Sequence, residues 1–239
     1  DTMRNLNLHE TDSWYQWMRS STPEPDHPAF LSRAPAFQRL LVGLGRSGDD
    51  DSTEVHTLRS AEWAGGAPMP GGGALIPGFY LNELLLRLLA RQDPHPRLFD
   101  AYAEALPALQ RPDDAGVQAA LRAFELILLR EIGVLPELAL ETLTQRPLRA
   151  NAGYALRAEV GVVASGDGSA LSGAQLVALE AALSHGHVEA LRDACAPALP
   201  ALRGALRALL HYHLGSSVLR TRQVMADVRK LLDTVPPRP

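Results

Sequence analysis

The stretch Gly-Phe-Tyr-Leu-Asn-Glu-Leu-Leu-Leu-Arg-Leu-Leu, residues 78–89, decides how the rest of the chain is read. Phe79, Leu81, Leu84, Leu85, Leu88 and Leu89 are apolar, while Glu83, Arg87 and Arg91 fall at i, i+4 and i+8 on one polar stripe. The pattern predicts an amphipathic helix with a broad buried side, beginning at Phe79. Further helices follow. One is expected over 96–109 and another over 112–132, where Pro112 and two acids suit the start and Gly133 the end. Val117, Leu121, Phe124 and Leu128 share one seam of the latter. Residues 154–164, with Val160, Val162 and Val163 ahead of a Ser-Gly-Asp-Gly turn, predict a small hairpin or irregular insertion. Ser172 and Gln175 form a capping box for a helix over 173–183. A short helix over 188–196 precedes two longer ones over 202–214 and 217–232, which meet at Gly215, a natural left-handed cap.

Upstream of residue 79 the pattern changes. Residues 64–78 are rich in Gly and Pro and read as a linker. Residues 37–45 and 53–61 predict two strands joined through a turn at 47–52, a hairpin that needs a larger sheet or a helix to pack on. From Thr11 to Ala36 no period holds, and residues 1–35 read as an atypical, poorly structured leader. Residues 233–239, with three prolines, read as a disordered tail.

At 239 residues, with 46% apolar and 21% charged side chains, the chain is long enough for one large domain or two smaller ones. No window approaches the roughly 18–20 unbroken apolar residues of a membrane span, and no apolar signal segment is visible, so a cytoplasmic protein is expected. Cys195 is the only cysteine, which excludes an internal disulfide, a CxxC centre and a four-Cys zinc site. It is expected to be a small buried residue. His211 and His213 are two apart rather than the four that place a metal pair on one helical face, and His185 and His187 flank a turn. Gly71–Gly73 lack the Lys-Ser/Thr that a phosphate-binding loop requires. No nucleophile motif stands out, so no enzyme, metal or cofactor is expected.

The net charge of −4 is unevenly spread. Residues 1–63 carry 6 basic and 10 acidic side chains, residues 64–202 carry 10 and 15, and residues 203–239 carry 7 and 2. Only the last segment attracts phosphates or acidic peptides, through Arg203, Arg207, Arg220, Arg222, Arg229 and Lys230. Arg203 and Arg207 would share a helical face at i, i+4, a mildly unfavourable pairing unless an anion is near, and a simply solvated face is the competing reading. Arg122, beside Leu121, Phe124 and Leu126, also has two readings. It either holds a carboxylate while an aromatic group enters the neighbouring pocket, or it is an exposed arginine paired with Glu125.

Three segments closely resemble the RecO family of bacterial recombination-repair mediators. They are Gly78–Leu85, Leu121–Leu126, and His211–Gly215 with Leu219–Arg222. Glu54–Glu62 also looks like the end of that family's N-terminal OB domain. The resemblance runs over about residues 36–232 and implies an α+β protein: a partial or degenerate N-terminal OB-fold β-barrel (36–63), the linker, and a mainly α-helical C-terminal domain (79–232). It implies binding to single- and double-stranded DNA, strand annealing, and cooperation with RecR and the single-strand binding protein in loading RecA, in the cytoplasm at the nucleoid. With one cysteine, the chain resembles the zinc-free branch. An OB barrel needs five strands and only the last two are recognisable, so an adaptor that keeps partner binding and has lost DNA binding is the alternative. The expected DNA contacts are Arg59, Arg203, Arg207, Arg220 and Arg222. The partner tail that the family implies is acidic and ends in a Phe carboxylate. Arg122 is expected to pair with that carboxylate and Leu126 to line its slot, with Phe124 turned into the core. An exposed Arg122 would accept charge reversal without loss of stability.

Overall fold

The computed structural model describes residues 37–45, 57–65, 69–90, 93–166, 170–215 and 219–234. The expected leader, the hairpin turn and residues 235–239 of the expected tail lie outside the described residues. Strands β1 (Leu40–Gly45) and β2 (Thr57–Trp63) pair antiparallel, with Leu40 opposite Trp63 and Gly45 opposite Thr57. Among the described residues seven α-helices follow: α1 (Leu75–Leu88), α2 (Pro96–Ala108), α3 (Asp114–Glu131), α4 (Gly173–His185), α5 (Val188–Cys195), α6 (Leu199–His213) and α7 (Arg220–Thr234). Between α3 and α4 lie two small sheets. One pairs β3 (Leu140–Glu141) with β4 (Arg146–Pro147); the other has the order β6 (Gly161–Ala164), β5 (Gly153–Arg157), β7 (Leu171–Ser172). The architecture is a mixed helical and sheet fold.

Helix α3 is the axis of this arrangement. Leu121, Phe124, Leu126, Leu128 and Leu129 are all buried, so its apolar surface wraps far beyond one seam, as expected of a helix enclosed by neighbours. Helices α2, α5 and α6 pack around it. Full burial of each Leu or Phe contributes about 1.5–3 kcal/mol, so this one helix supplies a large share of the driving force. Asp113 caps it, accepting from Gly116 N–H at 3.2 Å, and Gly133 ends it at φ +75°.

Local chemistry decides most other boundaries. The capping box appears in full: Ser172 Oγ accepts from Gln175 N–H at 3.1 Å and Gln175 Oε1 accepts from Ser172 N–H at 2.9 Å. Gly186 closes α4 at φ +76° and Gly215 follows α6 at φ +69°, both in the left-handed region. Helix α1 starts at Leu75, four residues ahead of its expected start, preceded by a 3-10 turn over Gly72–Ala74. The second half of the Gly/Pro-rich segment is therefore folded. Burial explains the difference: Ala74 joins the core, and Gly78 receives the ring of Phe37. The hairpin is thus seated on the helical part, with Phe37 and Phe79 rings 5.2 Å apart and Arg39 over the Phe99 ring.

Candidate functional site

The site grows from Tyr80 and Asn82 on α1. In a helix facing a core, a phenol and an amide are tolerated only when paired. Tyr102 on α2 satisfies Asn82, donating to its Oδ1 at 2.7 Å. Tyr80 is satisfied from α3, donating to Glu125 Oε1 at 2.6 Å. The same oxygen takes Nη2 of Arg122 at 2.6 Å, an i, i+3 pair whose side chains are only 7% and 0% exposed. From α7, Arg222 donates to the Tyr80 hydroxyl at 3.1 Å and lies 5.5 Å from its ring centroid. Arg203 on α6 acts on Glu125 from farther away.

Arg122 from α3 contacts this buried carboxylate directly, and Arg222 from α7 reaches it through the Tyr80 hydroxyl. Burial pushes the Glu125 carboxyl up from its ordinary range, opposed by the Arg122 guanidinium and the Tyr80 hydrogen bond. Burial, with the Glu125 charge beside it, pushes the Tyr80 hydroxyl up, so Tyr80 holds its proton throughout the physiological range. The cluster is therefore a charge-assisted network with a cationic excess, and it joins α1, α3 and α7.

A second carboxylate holds the start of α7. Glu83 accepts from Arg220 N–H at 2.8 Å, Thr221 N–H at 2.9 Å and the Thr221 hydroxyl at 2.7 Å, with Arg87 at 3.2 Å. Partial burial works to raise its carboxyl, but the bonds from Thr221 and Arg220 and the Arg87 charge outweigh this and hold it below the usual range.

The expected DNA-contacting residues fall into two groups. Arg203 and Arg207 are exposed one turn apart on α6, and Arg220 is exposed at the start of α7. Arg222 is half-buried and spent on Tyr80. Arg59 is exposed on β2, away from these helices in sequence and on the hairpin. The Arg229 side chain lies outside what is described.

The expected partner slot needs correction. Arg122 is 6% exposed, Phe124 1% and Leu126 0%. Phe124 faces the core as expected, but Leu126 is also inside and Arg122 is not a surface residue, so these three do not form an open slot. The i, i+3 pairing of Arg122 with Glu125 is present, but inside the protein. Spacing could not reveal this, because the wrap of other helices around α3 decides which polar side chains are enclosed. The roles of Tyr80, Glu83 and Glu125 were likewise unmarked; the signal available was a tyrosine and an asparagine on the apolar side of α1.

Cys195 is fully buried, and burial pushes its thiol up to about 12, consistent with an inert core residue. Among the described residues no three His, Cys, Asp or Glu side chains gather as a metal site, and no described helix is long and apolar enough to cross a membrane.

A helical domain tied to a C-terminal arginine helix is the class of protein defined here. The family model described as "Recombination protein O C terminal" matches residues 72–223. A DNA repair protein RecO of Acidovorax ebreus is 50% identical over 216 residues, covering 85% of this chain and 80% of that one. One from a Polaromonas species is 52% identical over 199 residues (82% and 78%), and one from Verminephrobacter eiseniae is 48% identical over 186 (76% and 73%). The chain belongs to the RecO family.

Proposed function

We propose that this protein is a non-enzymatic mediator of DNA repair and homologous recombination. It binds single- and double-stranded DNA, anneals strands, and helps RecR load RecA onto single strands coated by the single-strand binding protein, acting in the cytoplasm at the nucleoid. Family membership supports the repair role: the relatives carry the name DNA repair protein RecO. The observation that carries the DNA reading is the placement of Arg203, Arg207 and Arg220 as exposed cations in the one segment with a strong positive balance. Like charges at i, i+4 repel mildly, and a phosphate backbone converts that cost into attraction. The partner interactions rest on the family and not on a slot at Leu126.

The test is a fluorescence-anisotropy titration of a single-stranded oligonucleotide at increasing salt. Each lost phosphate contact flattens the slope of log K against log salt by about 0.7, so the Arg203→Ala/Arg207→Ala/Arg220→Ala variant is expected to lose about 2 in slope. An unchanged slope with measurable wild-type binding would make these arginines a solvated face. A wild-type chain with no salt-dependent affinity at all would favour the adaptor that binds protein partners alone.

A further inference from the structure

Helix α7 is fastened to the rest of the protein through its first turn. Helices usually satisfy their leading N–H groups with a local Ser, Thr, Asp or Asn. Here the cap comes from a different helix, 137 and 138 residues away in sequence: both oxygens of Glu83 are used, on the N–H groups of Arg220 and Thr221 and on the Thr221 hydroxyl. Its negative charge also complements the helix dipole at that end. One turn of chain carries the second fastening, Arg222 on the Tyr80 hydroxyl and ring, and Tyr80 is itself anchored on Glu125. Leu219, immediately before the helix, is buried. Farther along, Gln223, Val224, Ala226, Asp227 and Lys230 are all exposed. Among the described residues, the polar attachments of α7 to α1 lie at one end, where Arg220 and Arg222 stand.

We propose that Glu83 and Tyr80 are positioning residues for the C-terminal arginines, fixing the first turn of α7 so that Arg220 is presented outward in a set orientation without either residue touching nucleic acid. This rests on the reading that the arginines meet phosphates, and it adds the reason why they are held ready. A cation on a fixed turn binds with less ordering cost than one on a loose segment, so the contribution of Glu83 is to affinity through preorganisation. Removing Glu83 leaves every arginine in the chain and releases Arg87 from its ion pair, so the number of cations available to displace counterions does not fall. Loss of a cation lowers the salt slope; loss of positioning lowers affinity without lowering the slope.

The experiment compares the unaltered 239-residue chain with Glu83→Ala and Glu83→Gln. Gln keeps a carbonyl oxygen as acceptor but loses the charge and the second carboxylate oxygen. Hydrogen exchange over residues 220–224 is measured alongside the oligonucleotide salt titration. In Glu83→Ala, exchange over 220–224 is expected to accelerate roughly ten- to a hundred-fold, the equivalent of losing one charge-assisted hydrogen bond. Exchange within α3 should stay as in the wild type, DNA affinity should fall several-fold, and the salt slope should not fall. Gln should fall between the two. Wild-type exchange over 220–224 in Glu83→Ala would overturn the proposal, as would accelerated exchange with undiminished DNA affinity. If Glu83→Ala does not fold, Glu83→Gln carries the same two readouts, and the same two results would overturn the proposal. Failure of the DNA reading is distinct: the triple arginine variant then leaves the salt slope unchanged, whatever Glu83 does to exchange.

Discussion

Replacing Arg122 with alanine is expected to lower the unfolding free energy at pH 7 by about 3–5 kcal/mol, the range for breaking a buried ion pair by removing one partner. The loss exceeds that of an exposed pair because neither side chain reaches water: Glu125 is fully buried and Arg122 nearly so. Without Arg122 the carboxylate keeps the Tyr80 hydrogen bond and the more distant arginines, but its nearest charge is gone. Its folded-state affinity for a proton then rises further above that of the unfolded chain. The sign of the pH dependence follows. A carboxyl with a raised folded pKa binds more protons in the native state, so acidification through that pKa restores stability. The deficit of Arg122→Ala should therefore narrow below neutral pH. Arg122→Leu combined with Glu125→Leu removes both charges and should be less destabilised than Arg122→Ala alone, although it leaves the Tyr80 hydroxyl without its acceptor. Urea unfolding of the three proteins at pH 7 and pH 5.5 measures all of this. A loss below about 1 kcal/mol for Arg122→Ala at pH 7 would mean that the cluster is not a tight pair.

The enclosure of Arg122 marks where local sequence patterns stop deciding the structure. Periodicity and capping chemistry are local, and the elements they govern stand within a few residues of where the sequence places them, α1 starting four residues early and α7 three residues late. The Gly133 end of α3, the Ser172–Gln175 box and the left-handed Gly215 are examples; α3 starts at Asp114 behind its Asp113 cap, two residues past the expected Pro112. The β3–β4 pairing was illegible because two-residue strands show no alternation, and Gln145 in its turn adopts φ +55° without being the glycine that would announce it. The candidate site was half legible. Which arginines are plentiful near the C-terminus is a matter of composition, and Arg203 and Arg207 do stand exposed together. Which arginine is enclosed is a matter of tertiary packing. Arg122 and Arg207 look alike on a helical wheel, yet α3 is surrounded and α6 keeps an outer face. Glu83 shows the same limit from the other side: an i, i+4 stripe with Arg87 correctly pairs those two, but the larger part of the Glu83 hydrogen bonding goes to a helix at the other end of the chain.

Phe37 carries the other large expected effect. The ring is 5% exposed, belongs to the same hydrophobic core as α1 and α3, and sits so close to Gly78 that a Cβ there would lie 3.0 Å from it. Phe37→Ala is expected to cost about 3 kcal/mol, near the lower end for buried Phe truncations because Phe79 beyond it is partly exposed and can settle into the gap. Phe37 also adopts φ +66°, a conformation that alanine tolerates no better and glycine adopts freely. Phe37→Gly therefore loses the same ring but escapes the strain, and should be more stable than Phe37→Ala by roughly 1 kcal/mol, the reverse of the usual order. A fragment beginning at Met69 discards the ring with the hairpin. It retains the helices packed around α3, so it should still unfold cooperatively, with a loss at least as large as that of Phe37→Ala and with Phe79 newly bared. Lower urea midpoints, with the wild-type slope in the two point variants and a smaller slope in the shorter fragment, would support this seating of the hairpin. A fragment as stable as the full chain would mean that Phe37 contributes nothing to the helical core, and that the two parts fold independently.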